Sequence, residues 1–184
     1  MKFSDFYIPT EGDIGYGDKG TTHSYLDVYD ALLKNYVDST SNILEIGVSR
    51  GHSISMLGKY FQSANIIGID NMPELVNALE NPNNNIELIA GDATSYGTVK
   101  DLDNLDVVID DGSHRLQDQI ASFKLLWSKV NSNGIYIVED VTNLEEFKIA
   151  VENDPFFAGI NKGLIDLRER KGRYDDVLFV CYKG

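Results

Sequence analysis

The chain has 184 residues, with 29 acids against 16 bases and a formal net charge of −13 at pH 7. A field of that sign repels phosphate backbones and argues against nucleic acid as a partner. Its 42% hydrophobic and 24% charged residues are ordinary for a globular protein and suffice for one domain, residues 1–184, with a real core. A single cysteine, Cys181, excludes an intramolecular disulfide. The opening MKFSDFYIPTEGD has no signal-peptide core, and no run approaches a membrane span, so a cytoplasmic protein without membrane partners is expected.

Tyr25, Val28, Tyr29, Leu32, Leu33 and Tyr36 fall at helical spacing, which predicts an amphipathic helix over 24–37 within a lead-in of about 40 residues. NILEIGV (42–48) is an apolar run ending at glycine, and SISMLGKYF behind it reads as a helix. IIGID (66–70) predicts a second buried strand, followed by MPELVNALE with Pro73 near a helix start, and NPNNN (81–85) reads as a polar turn. IELIA (86–90) precedes Gly91 and Asp92, and LDVVID (105–110) precedes DGSH. QDQIASFKLLWSKV (117–130) predicts a helix with Ile120, Phe123, Leu126, Trp127 and Val130 inward. GIYIVED (134–140), a helix around LEEFKIAVEN, GLIDLRE and DVLFVCYK complete the chain.

Apolar strands alternating with helices describe a doubly wound, mostly parallel α/β sheet over residues 41–184. The last two strands are joined by ERKGRYD, too short for a crossover helix, so they must pair antiparallel. The RERKGR cluster at 168–173 reads as a solvated hairpin. Tyrosines and phenylalanines at helical spacing read as core.

Ligands in such sheets sit beyond the carboxyl ends of the strands. Those positions hold Glu45 to Gly51, Asp70, Gly91 and Asp92, Asp110 to His114, and Glu139 with Asp140. In EIGVSRGHS, Gly47 permits a sharp turn and Gly51 lets a helix N-terminus approach a ligand. Ser49 and His52 stand where a dinucleotide fingerprint requires glycine, which disfavours a NAD-dependent dehydrogenase. The spacing suits an adenosine whose ribose hydroxyls bond Asp70 and whose tail carries no pyrophosphate.

The order LEIGVSRGHS, IIGID, GDA, VVIDDGSH and IYIVED resembles class I S-adenosylmethionine-dependent methyltransferases. More narrowly, GDKGTTHSY (17–25), IDDGSH, the VED turn and LIDLRERKGRYDDVLFV resemble the metal-dependent sugar O-methyltransferases of macrolide biosynthesis and their cephalosporin-hydroxylase-like kin. The resemblance implies a seven-stranded Rossmann-like sheet with a late antiparallel strand. It implies that Glu45, Gly47 and Asp70 hold S-adenosylmethionine, with Asp92 near the adenine and Lys19 near the cofactor. Asp111 and Asp140 would bind Mg²⁺ or Mn²⁺, making Asp111 both ligand and catalytic residue, and His114 would be the general base. The long N-terminal domain of the macrolide enzymes has no counterpart in these 184 residues.

The chemistry of the residues agrees. A sugar hydroxyl is a poor nucleophile until a hard cation held by carboxylates acidifies it and a histidine takes its proton. Several positions stay open at this level. Asp110 reads as structural or cofactor-facing, Glu139 as a third metal ligand or a partner for a backbone amide, and His23 as a helix-start or site residue; His52 reads as structural. The expected function is Mg²⁺-dependent methylation of a sugar hydroxyl on a glycan or glycosylated small molecule, in a chain that can form a homo-oligomer. A metal-dependent hydroxylase on the same scaffold and a non-catalytic S-adenosylmethionine-binding module are the alternatives.

Overall fold

The computed structural model describes residues 1–7, 17–72, 74 and 85–184. Pro73 and residues 75–84, on which the expected second-unit helix and most of the NPNNN turn fall, lie outside the described residues. Seven strands form one sheet: β1 (Asn42–Ile46), β2 (Asn65–Asp70), β3 (Ile86–Ala90), β4 (Leu105–Asp110), β5 (Val130–Val138), β6 (Asn161–Asp166) and β7 (Val177–Tyr182). Their spatial order is β3-β2-β1-β4-β5-β7-β6. The first five run parallel, and β7 runs antiparallel to both β5 and β6, as the short closing link requires.

Buried strands need apolar side chains on both faces, and each face here carries its own core. Ile43, Val107, Ile109, Ile135, Ile137 and Val180 point to the side where Phe3, Tyr25, Tyr29 and Tyr60 pack. Leu44, Ile46, Val108, Tyr136, Val138 and Phe179 point to the other, against Phe123, Leu126 and Phe147. The period of two also sorts the acids that interrupt or follow these runs. Glu45, between Leu44 and Ile46, faces the first side, whereas Asp110, two residues past Val108, faces the second.

The helices expected over 24–37 and 117–130 are shorter than periodicity predicted, whereas those at SISMLGKYF and LEEFKIAVEN have the expected length. The lead-in holds α1 (Asp18–Thr21) and α2 (Leu26–Leu33), and α2 stops before Tyr36, whose hydroxyl instead bonds the Asn133 carbonyl at 3.0 Å. α3 (His52–Tyr60) and α4 (Tyr96–Val99) follow β1 and β3. α5 (Leu116–Leu126) gives way to a 3-10 turn at Trp127–Lys129. Val130, expected inward on that helix, opens β5 and pairs with Leu105, because ladder bonds to β4 outweigh one more helical turn. α6 (Leu144–Asn153) precedes β6, and a single turn, α7 (Arg168–Lys171), lies in the β6–β7 link.

That link is not merely solvated, which corrects the reading of RERKGR. Lys171 Nζ donates to the carbonyls of Gly20, Thr21 and His23 at 2.6, 3.0 and 2.7 Å. Arg170 pairs with Asp27 at 2.7 Å and Arg173 with Asp175 at 2.9 Å. The basic cluster clamps the segment carrying α1 to the far edge of the sheet. Lys171→Met should therefore lower stability by about 1 kcal/mol, the scale of hydrogen bonds made by a partly exposed charged donor. Urea unfolding measures it, and an unchanged midpoint would return the cluster to a solvated surface.

Candidate active site

At the carboxyl ends of β1, β2 and β4 lies a cleft of about 1070 Å³, large enough for a nucleoside-sized ligand with room beside it. Gly47, Asp70, Asp92, Asp110, Asp111 and His114 all line it. Gly47 has φ +85°, and a Cβ there would collide with the carbonyl oxygen of Asp111. Its glycine lets the β1 turn and the β4 turn touch. Gly51, at φ +82°, caps the N-terminus of α3.

Asp70 is held at the rim by two backbone amides, Ser49 N–H to Oδ2 and Met72 N–H to Oδ1, both at 2.8 Å. Each oxygen retains a lone pair for a further donor. Asp92 Oδ1 accepts from the Thr94 amide and hydroxyl at 2.8 and 2.7 Å, which fixes the GDA turn. Glu45 does not line the cleft. It is fully buried behind the Gly47 turn, and both its carboxylate oxygens lack a hydrogen-bond partner, as does the hydroxyl of Ser53 nearby.

The adjacent acids of DDGSH part company at the end of β4. Asp110 turns toward α5, where Oδ2 accepts from Ser122 Oγ and from Tyr136 OH at 3.3 Å, and Oδ1 accepts from the Gly112 amide at 3.3 Å. Burial raises its carboxyl to about 6 in spite of these donors. Asp111 turns the other way and meets Lys19 Nζ at 2.8 Å and His114 Nε2 at 3.1 Å. His114 (φ +56°) and Asp140 (φ +53°) both adopt left-handed backbone, which brings their side chains back together. His114 Nδ1 stands 3.7 Å from Asp140 Oδ2. One ligand atom from each of Asp111, His114 and Asp140 lies within 4.8 Å of the others.

Lys19, expected near the cofactor, does not line the cleft. It lies buried behind it, its Nζ between Asp111 and Glu139 Oε1, the latter at 2.5 Å. Glu139, open between metal ligand and backbone partner, spends Oε1 on Lys19 and on the Tyr29 hydroxyl, also at 2.5 Å. It stands outside the converging set of Asp111, His114 and Asp140. Tyr25 donates to Asp140 Oδ1 at 2.5 Å. Tyr25 and Tyr29 are core, as their spacing predicted, yet their hydroxyls are the donors that aim two acids of the site. Their signal was the choice of tyrosine over phenylalanine at two inward positions. His23, open between helix start and site, is buried beside Asp140 and Asp176, with Nδ1 at 3.4 Å from an oxygen of each. His52 opens α3 and contributes to the cleft wall.

The electrostatics favour a cation. Burial pulls Lys19 down, but Asp111, Glu139 and Glu45 overcome it and hold the ammonium charged. Asp111 is pushed up by burial, yet Lys19 and His114 bring it below the usual carboxylate range. Glu139 is driven well above that range by burial and the Asp111 charge, and Asp140 is raised by the same two causes. Burial lowers His114, but the hydrogen bond and charge of Asp111, with Asp140 and Glu139 behind, lift it to about 9. Acidic groups outnumber basic ones here, the raised Glu139, Asp140 and His114 reflect that crowding, and ligand atoms of Asp111, His114 and Asp140 converge on one point. That donor set fits a hard divalent ion.

Burial also raises Glu45 from 4.5 to about 7, with Lys19 drawing it partly back. A carboxyl that holds its proton more tightly when folded favours folding at low pH, and stability is lost as pH climbs from about 4.5 through about 7. Glu45→Gln should remove that slope. Thermal or urea unfolding should find the variant more stable at pH 8 by about 3 kcal/mol, with the difference gone below pH ~4.5. A parallel pair of stability–pH curves would show that Glu45 is compensated.

Among the described residues no helix is long and apolar enough to cross a membrane. A family described as Methyltransferase domain matches residues 44–141. The chain is 27% identical over 135 residues to 8-demethyl-8-alpha-L-rhamnosyl tetracenomycin-C 2'-O-methyltransferase of Streptomyces olivaceus, covering 67% of this chain and 35% of that protein. It is 28% identical over 163 residues to demethylmacrocin O-methyltransferase of Streptomyces fradiae, covering 80% of this chain and 40% of that one. The chain thus spans between a third and two fifths of the length of these curated relatives. MycE methyltransferase from the mycinamycin biosynthetic pathway, solved in complex with Mg and SAH, superposes with a TM-score of 0.69 at 22% identity, over 98% of this chain and 53% of that one. At that identity the superposition shows a shared fold.

Proposed function

The chain belongs to the methyltransferase-domain family, and from that membership we propose that it is a cytoplasmic, divalent-cation-dependent O-methyltransferase acting on a sugar hydroxyl of a glycosylated small molecule. One observation carries the reading. The glycine turn and Asp70, suited to an adenosine, share a cleft with Asp111 and His114, which converge with Asp140 on one point. The rhamnosyl tetracenomycin-C 2'-O-methyltransferase among the relatives supports the acceptor class. The single buried, unpaired cysteine accords with a reducing compartment.

When bound, S-adenosylmethionine supplies the methyl group and a hard cation supplies positive charge that acidifies a hydroxyl. In the proposed assignment Gly47 and Gly51 let the backbone approach the cofactor, Asp70 accepts from its ribose hydroxyls, and Asp92 lies toward its adenine. Asp111 and Asp140 hold the cation, while Lys19, fixed by Glu139, keeps Asp111 ionised and aimed. With those two carboxylates committed to a cation, His114 would hold its own proton less tightly, and its ring would be the acceptor for the proton of the acceptor hydroxyl. Residues 1–40 serve as a lead-in to a single catalytic domain: within them residues 17–23 deliver Lys19 and close one side of the site.

Asp70→Ala should weaken S-adenosylmethionine binding by about 1–3 kcal/mol, the worth of hydrogen bonds to a charged group. Unchanged calorimetric affinity in the folded variant would sink the cofactor assignment. Chelation should abolish methyl transfer to glycosylated acceptors while cofactor binding persists, and Mg²⁺ or Mn²⁺ should restore it. Full turnover by a rigorously metal-free preparation would remove Asp111 and Asp140 from that role. His114→Ala should lower kcat by about 10²–10⁴-fold with little change in cofactor affinity. A near-parental rate on a sugar hydroxyl would show that His114 is not the base.

A further inference from the structure

Behind the acids of the cleft lies a second group, of which the proposed chemistry uses only Asp140. His23, Asp140 and Asp175 are each at least nine-tenths buried, and one ligand atom from each lies within 4.8 Å of the others. Asp176, fully buried, adds a carboxylate to the same pocket, with Oδ1 at 3.4 Å from His23 Nδ1. Acid clusters on surfaces are solvated and commonplace. This one is buried, and several of its polar atoms have no hydrogen-bond partner.

His23 Nδ1 has no hydrogen-bond partner although Asp140 Oδ1 and Asp176 Oδ1 both stand 3.4 Å away. Asp175 Oδ1 and Asp176 Oδ2 are likewise unpartnered. Arg173 takes only the other oxygen of Asp175, at 2.9 Å. Buried polar atoms without partners are rare and costly, and two in one cluster, His23 Nδ1 and Asp175 Oδ1, need a common explanation. Two donors each about 2.1 Å from one ion stand roughly 3.0–3.4 Å apart at octahedral or tetrahedral angles. The 3.4 Å between His23 Nδ1 and Asp140 Oδ1 matches that condition.

Asp140 connects the two places. Its Oδ2 faces His114 and the cleft, while Oδ1 faces His23 and the buried pocket. We propose that His23, Asp140 and Asp175 form a second divalent-cation site, and that Asp140 bridges it to the Asp111–His114 position. An imidazole among carboxylates suits a first-row ion such as Mn²⁺ or Zn²⁺. A buried ion there would tie the lead-in, β5 and the β6–β7 link together and hold the bridging carboxylate rigid for the outer ion. The proposal rests on the functional reading only through the outer position, and ion binding can be counted without any methyl transfer.

The metal-free chain, titrated with Mn²⁺ and separated from free ion, should retain two equivalents per chain. The wild-type spectrum in electron paramagnetic resonance should show two exchange-coupled ions, since a single carboxylate joins them. Asp175→Asn and His23→Gln, checked for native fold, should each retain one equivalent with an uncoupled signal. Asp111→Asn should also retain one, now the buried ion; losing none would instead fault the outer assignment of the functional reading. Saturation of the wild-type chain at one equivalent would overturn the buried site, whether or not the variants fold. So would two equivalents persisting in folded Asp175→Asn and His23→Gln.

Discussion

A buried lysine ammonium cannot be left alone in a protein interior, and the placement of Lys19 between Asp111 and Glu139 organises the rest of the site. The contact joins the lead-in to the ends of β4 and β5, elements far apart in sequence. It keeps Asp111 ionised and aimed at His114, and it turns Glu139 toward Tyr29. Breaking such a pair by removing one partner costs several kcal/mol, because the other charge stays buried. The same physics explains the clamp beyond it. Lys171 grips three carbonyls of the segment carrying Lys19, so the far edge of the sheet holds in place the residue that balances the acids at its centre.

The site is also a product of strand geometry. Successive residues point to opposite faces, so two neighbouring aspartates at the end of β4 serve two environments. Asp110 is bound into the α5 layer by Ser122 and Tyr136, whereas Asp111 joins the lead-in. At the end of β5 the same alternation sends Glu139 to Tyr29. The left-handed backbone at Asp140 then breaks the alternation and returns its carboxylate to His114. Left-handed conformations cost energy in residues with a Cβ, and they persist where surrounding contacts over-determine them. Tyr25 on one oxygen of Asp140 is such a contact.

Much of this could be read along the chain. Apolar runs closed by glycine or aspartate located the strands, since a strand buried on both faces has no polar alternation to blur it. The short final link required the reversed β7, because seven residues cannot cross over a sheet. Gly47, Asp70, Asp92, Asp110 and Asp111 were recognisable as cleft residues because a parallel sheet must present the ends of its strands on one side. These are local or topological facts, and a sequence carries them directly.

What the tertiary structure decided is which charges meet. Nothing in the spacing of DKGTTHSY says that Lys19 lies behind the cleft and not in it, or that His23 faces Asp140 and Asp176. The hydroxyls of Tyr25 and Tyr29 were hidden inside a hydrophobic pattern that only their rings explain. RERKGR had the composition of a solvated turn, and its role as a clamp depends on carbonyls some 150 positions earlier in the chain. Periodicity and turn chemistry act over a few residues and are written in order. Pairing of buried charges depends on distances across the fold, where desolvation makes every partner matter and sequence separation counts for nothing.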